Sequence, residues 1–131
     1  MKNYGFEGQI IFIYVQDLDV SKKFYEELLG LDLVLDQGGC RIVRTGRDAY
    51  LGFCSGKEKD RAGDNVLITL VTPLVDEWYQ HLRENRVQLQ DPPRYNAEYN
   101  IYHFFFQDPD GYKLEIQRFE DENWNSYLVE S

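Results

Sequence analysis

Phe104-Phe105-Phe106-Gln107-Asp108-Pro109-Asp110-Gly111-Tyr112-Lys113-Leu114-Glu115-Ile116 is the stretch whose reading decides the fold. Two aromatic and aliphatic runs flank a turn in which Pro109 fixes φ and Gly111 admits a positive φ, so the stretch predicts a β-hairpin. Side chains alternate faces along a strand, and one pairing therefore settles both faces. With Phe106 opposite Tyr112, Phe104 meets Leu114 and Tyr102 meets Ile116, a face wholly apolar or aromatic. The other face pairs Phe105 with Lys113 and His103 with Glu115, with Gln117 beyond. A shift of one residue mixes the two sets. The expected register thus packs the apolar face under helices and turns His103, Phe105, Glu115 and Gln117 toward an open cleft. Two of the three phenylalanines are expected in the core.

Working back from the hairpin, the same order of elements occurs twice. Gln9 to Val15 reads as a buried strand. Asp17 is placed to cap a helix whose apolar face is Leu18, Phe24, Tyr25, Leu28 and Leu29, and Gly30 suits its left-handed exit. Short strands follow near Asp32–Asp36, Arg41–Arg44 and Ala49–Cys54. Residues 55–63 read as a polar linker. Then Val66 to Val71 is a strand, Thr72 a cap with Pro73 at the first helical position, and Leu74, Val75, Trp78 and Leu82 an apolar face. Asn85 is expected at the left-handed exit. Strands at Val87–Gln90, Ile101–Gln107 and Tyr112–Arg118 complete the set, with Asp91–Asn100 as a long loop. Offset by 56 residues, Val15 meets Val71 and Leu18 meets Leu74; the repeat lies in the order of elements rather than in residues. The expected fold class is α+β: two tandem βαβββ modules, about 8–54 and 64–118, forming curled mixed sheets around a cleft in one domain. A tail at 119–131 contains Trp124 and Tyr127. A single module has a sheet too small to bury both faces.

Two segments carry a family resemblance that spans nearly the whole chain. The first is VQDLDVSKKFYEELLGLDL (Val15 to Leu33), a strand end, an Asp cap, a Phe-Tyr pair and a Leu-Gly exit. The second is FFFQDPDGYKLEIQRF (Phe104 to Phe119). In this order, at this separation and with a duplicated architecture, the chain resembles the vicinal-oxygen-chelate superfamily, which includes glyoxalase I, extradiol dioxygenases, fosfomycin-resistance enzymes and bleomycin-binding proteins. The resemblance implies paired βαβββ modules. In metal-dependent members it also implies a His or Gln on each module's first strand and a Glu on each last strand. Carried over one at a time, these positions fall on Ile10, on Tyr50 or Gly52, on Val66 (Leu67 if the register slips), and on Glu115. Gln9 neighbours Ile10 but points to the opposite face. A catalytic divalent metal needs at least three convergent N or O donors, and only Glu115 is kept. No metal or other cofactor is therefore expected; His103 and Glu115 are the fallback ligands.

The inferred site is an apolar, aromatic pocket with one His–carboxylate pair on its wall. By strand parity Ile10, Phe12 and Tyr14 line it with Tyr50, Gly52 and Val66, beside His103, Phe105, Glu115 and Gln117. That composition suits ligand binding. The pair is also compatible with a general base, but no nucleophile can be placed beside it. A blander reading makes Glu115 a structural ion-pair partner. His81, near Trp78, reads as a surface residue.

Composition narrows the function classes further. The chain has 131 residues, enough for one domain with a real core, and aromatics are 15% of it. A formal net charge of -9 argues against nucleic-acid binding and suits a cationic ligand, although acidity often serves solubility alone. No apolar run is long enough to cross a bilayer, so no membrane partner is expected. Cys40 and Cys54 lack paired spacing, and a cytoplasmic location with both thiols reduced is the expectation. The leading function is a small-molecule binding protein of the bleomycin-resistance type, taking a small, partly aromatic or cationic ligand. The alternative is a metal-dependent lyase, isomerase or dioxygenase resembling glyoxalase I; a third is an interaction module without chemistry. Sheet edges and an exposed concave face make a homodimer the expected assembly.

Overall fold

The computed structural model describes residues 5–6, 8–56 and 66–124. Most of the expected linker and Tyr127 of the tail lie outside the described residues. The chain divides into two compact units, Met1–Ala62 and Gly63–Ser131.

In the first unit, β1 (Ile10–Val15) leads into α1 (Leu18–Lys22), which widens into a π-helical turn at Lys23–Leu28; β2 (Asp32–Asp36), β3 (Cys40–Gly46) and β4 (Ala49–Ser55) follow. Asp17 caps the helix, its Oδ1 accepting from the amides of Asp19 and Val20 at 3.0 and 3.2 Å. That satisfies two of the amides a helix start leaves orphaned. Gly30 takes the left-handed exit with φ 70°. The sheet order is β1-β4-β3-β2, with β1 and β4 parallel and the other pairs antiparallel. One face carries Ile13, Val15, Val43, Leu51 and Phe53, all buried, and Tyr25 of the helix stacks on Phe53 at 5.2 Å. Arg41 on the same face grips Glu26 of the helix through two nitrogens, at 2.5 and 2.8 Å.

The second unit repeats this plan with one addition. Its elements are β5 (Leu67–Val71), α2 (Val75–Glu84), β6 (Gln88–Leu89), β7 (Arg94–Asn96), β8 (Ile101–Gln107) and β9 (Lys113–Phe119). The order β5-β9-β8-β6 matches the first sheet, and β7 also pairs with β8. The loop expected at Asp91–Asn100 therefore contains a strand. Its three polar or aromatic residues follow Pro92-Pro93 and carry no alternation of their own; pairing to β8 makes them a strand. The second helix also starts later than expected. Thr72 Oγ1 accepts from the Leu74 amide at 3.1 Å, but the Pro73 carbonyl accepts from Arg118 Nη1, and the first helical bond runs from Trp78 to Leu74. Pro73 thus lies before the helix. At the other end Asn85 has φ -96°, and Arg86 takes the left-handed conformation with φ 59°. The apolar face of α2 is Val75 and Leu82, both fully buried, with Tyr79 edge-on to Phe104 at 5.2 Å, whereas Leu74 is exposed. Phe104, Phe106, Leu114 and Ile116 form the core beneath it. No described helix is long and apolar enough to cross a membrane.

Candidate functional site

The β8–β9 hairpin is closed by Asp108 more than by Pro109 or Gly111. Its Oδ1 accepts from the amides of Asp110 and Tyr112, each at 2.9 Å, and its own amide donates to the Tyr112 carbonyl at 3.0 Å. The ladder therefore extends to Asp108 and Tyr112, leaving a three-residue loop in which Gly111 has φ 88°. Consequently Phe106 pairs with Leu114, Phe104 with Ile116, Phe105 with Glu115 and His103 with Gln117. The expected register was off by two residues. Two residues preserve the alternation, so each side chain keeps its expected face, but His103 and Glu115 are diagonal neighbours rather than opposite ones.

They meet nonetheless. His103 Nδ1 lies 2.6 Å from Glu115 Oε2, with the two side chains each 7% exposed. A carboxylate accepts, so Nδ1 carries the hydrogen and the other ring nitrogen, Nε2, is directed away from Glu115. Thr69 on β5, paired with Glu115 across the parallel ladder, donates to Oε1 at 2.8 Å. Gln117, with its amide turned to donate, lies 3.1 Å from both carboxylate oxygens. Glu115 is thus buried with three side-chain donors around it. Thr69 was not expected here. Only the nonlocal β5–β9 pairing brings it beside Glu115, and alternation along β5 from a known register would have found it. Val66, the position carried over instead, precedes β5 and is exposed.

The rest of this open face follows from pairing. The row through His103 runs Val71, Gln117, His103, Arg94, and the row beside it joins Thr69, Glu115 and Phe105. Phe105 is edge-on to the His103 ring at 5.0 Å, and Lys113 Nζ stands 4.1 Å from the Phe105 ring centre.

The remaining sequence-derived positions lie on the first unit. Ile10 pairs with Tyr50, Phe12 with Gly52 and Tyr14 with Cys54, on the face opposite the helix. Ile10, Phe12 and Tyr14 are 42%, 41% and 56% exposed. The Phe12 ring lies directly over Gly52, where an added Cβ would collide with it. Cys40 and Cys54 face each other across β3 and β4 and form a disulfide, which corrects the expectation of reduced thiols. Fourteen residues separate them in sequence, so their juxtaposition comes from strand pairing.

The donor set does not make the metal site that the resemblance implies. Ile10, Gly52 and Val66 have no donor, Tyr50 brings only a phenol oxygen, and Phe12 fills the space over Gly52. The Glu115 oxygens already accept from Thr69, Gln117 and His103. Among the described residues no three His, Cys, Asp or Glu side chains converge.

Comparison with known proteins agrees with this architecture. No curated protein matches the chain significantly. Solved structures do, at low identity. A glyoxalase/bleomycin resistance protein/dioxygenase from Nocardioides superposes with a TM-score of 0.72 at 19% identity, covering 91% of this chain and 86% of its own. Lactoylglutathione lyase from Agrobacterium tumefaciens gives 0.69 at 19%, covering 88% and 96%. The genomically encoded fosfomycin resistance protein FosX from Listeria monocytogenes gives 0.69 at 16%, covering 92% and 98%. These likenesses show the shared fold. The family model described as Glyoxalase/Bleomycin resistance protein/Dioxygenase superfamily matches residues 9–116, most of the chain, and the protein belongs to that superfamily.

Proposed function

We propose that this protein binds a small, partly aromatic molecule against the open face of its second sheet, without a divalent metal. The observation that carries the reading is the state of Glu115. The residue that would ligate a metal is instead held by Thr69, Gln117 and His103, and it serves to orient an imidazole beside Phe105. A few fixed polar groups among apolar ones is the composition of a ligand site. Relatives of the same fold named for small molecules, a lactoylglutathione lyase and a fosfomycin resistance protein, are compatible with this class. A ligand binding only the folded state raises its melting temperature by mass action. Nickel, zinc, manganese and ferrous iron should each leave the melting temperature unchanged, whereas a screen of small aromatic compounds should raise it. A saturable rise with a metal, abolished by Glu115→Gln, would reverse the reading.

A second reading has one observation in its favour. The Nδ1 contact to a buried carboxylate leaves Nε2 as a proton acceptor, the arrangement of a general base. A metal-independent acid–base enzyme would lose turnover on His103→Gln while ligand binding persists.

A further inference from the structure

We infer that the open face of the second unit selects an anionic aromatic ligand, with Arg94 as the anchor for a carboxylate. This rests on the ligand-binding reading above and names the ligand's charge.

The argument starts from strand pairing. Arg94 on β7 is directly opposite His103 on β8, so the two side chains leave the same face of the sheet. Directly opposite residues have Cβ atoms about 5 Å apart, close enough for one small ligand to touch both. Arg94 is exposed and has no hydrogen-bond or ion-pair partner among the described residues. Arg41 is held by Glu26 and Asp36 and Arg118 by Glu120 and Pro73; Arg94 is distinguished from the other unpaired arginines among the described residues, Arg44, Arg47, Arg83 and Arg86, by its place opposite His103 on this face. An unpaired guanidinium keeps its planar fork of donors available, and that fork matches a carboxylate in two parallel bonds.

The local charge points the same way, against the sign of the whole chain. Among the described strand residues of this face the cations are Arg94 and Lys113, and the sole carboxylate is Glu115. Glu115 is buried and already accepts from three side chains, so it offers no free oxygen to a cationic ligand. Its remaining effect is to fix His103. The net charge of -9 counts the whole chain and does not describe the strand residues of this face, where two cations stand beside one engaged carboxylate. The apolar part of the ligand has surfaces to meet. Phe105 is half-buried beside His103, and Leu67 and Val71 on β5, beyond β9 on the same face, are 46% and 45% exposed.

The test uses three ligands of similar size and different charge: benzoate, benzyl alcohol and benzylamine. Each is titrated into the full chain at millimolar concentration, followed by melting temperature and by the proton resonances of the His103 ring, assigned with a His81→Gln variant. Benzoate should bind tightest and shift the His103 resonances. Arg94→Gln removes an exposed, unpartnered charge and should leave the ligand-free melting temperature in place. It should weaken benzoate by about tenfold or more, since the anchor's hydrogen bonds to a charged group are lost, and leave benzyl alcohol unchanged. Benzylamine binding as tightly as benzoate, or Arg94→Gln leaving benzoate unaffected, overturns this inference while the ligand-binding reading stands. Failure of all three to bind overturns both.

Discussion

Removing the Glu115 carboxylate takes the acceptor away from His103, Thr69 and Gln117 at once, inside a site where His103, Glu115 and Gln117 are each less than 8% exposed. A buried polar group that loses its partner costs about 1–3 kcal/mol, and here three donors lose the same acceptor. Glu115→Ala is therefore expected to lower stability by about 3 kcal/mol in urea unfolding, and a change below about 1 kcal/mol would show that water replaces the carboxylate freely. Gly52 is informative for the opposite reason. It is buried with an ordinary backbone conformation, and what excludes a side chain there is the Phe12 ring lying over it. The Phe12 ring occupies the space that any side chain at position 52 would need, whereas the sequence shows only that Tyr50 and Gly52 are not carboxylates.

At the scale of elements, polar contacts as well as an apolar face tie each helix to its sheet, as Arg41 does with Glu26 in the first unit. In the second unit Tyr102 donates its hydroxyl to Asp76 Oδ1 of α2 at 2.6 Å, and Arg118 covers the Tyr102 ring at 4.9 Å. The hydrogen bond to Asp76, helped by partial burial and by the Asp76 charge, holds the Tyr102 hydroxyl above its ordinary value of 10.0, against the pull of Arg118. A raised pKa for this acid means the folded state prefers the neutral phenol. The contribution is whole below the unfolded pKa and is lost as pH rises through the folded one. Stability should thus fall above about pH 10, and Tyr102→Phe should shallow that fall while costing about 1 kcal/mol at neutral pH. An unchanged alkaline limb in the variant would count against the contact. The hairpin turn supplies a second expectation. Asp108→Ala strips the acceptor from two turn amides, one of them buried, and should cost about 2 kcal/mol. Asp108→Asn, which keeps an acceptor oxygen, should recover most of that in the same unfolding measurement.

Across the whole molecule, the disulfide and the open sheet faces set the expectations. The Cys40–Cys54 bridge closes a loop with a separation of 14 residues, for which chain entropy predicts about 3 kcal/mol. Reduction with dithiothreitol should lower the melting temperature, and the Cys40→Ser/Cys54→Ser double variant should melt low with or without reductant. A reductant-independent melting temperature in the parent chain would show the thiols unpaired in solution. Apolar residues of the first sheet, Ile10, Phe12, Tyr14 and Leu35, are each more than 40% exposed. We propose a homodimer as their cover, which light scattering at micromolar concentration checks; a lone 15.5 kDa species would refute it.

The order of elements, the two-fold repeat and the sorting of residues into helix-facing and open faces were written in local sequence. Alternation is a period-two property that each strand carries alone, which is why His103, Phe105, Glu115 and Gln117 fall together even though the hairpin register was two residues off. The Asp17 cap and the Gly30 exit were legible for the same local reason. Other features depend on pairing between distant segments. Thr69 reaches Glu115 through a parallel ladder 46 residues long in sequence separation, and Cys40 reaches Cys54 through the β3–β4 register. Arg94 stands beside His103 because Arg94-Tyr95-Asn96, polar and led by two prolines, becomes a strand only when β8 supplies its hydrogen bonds. Sequence determined which residues share a face; tertiary pairing decided which of them touch, because backbone ladders between strands are set by partners that local chain chemistry does not contain.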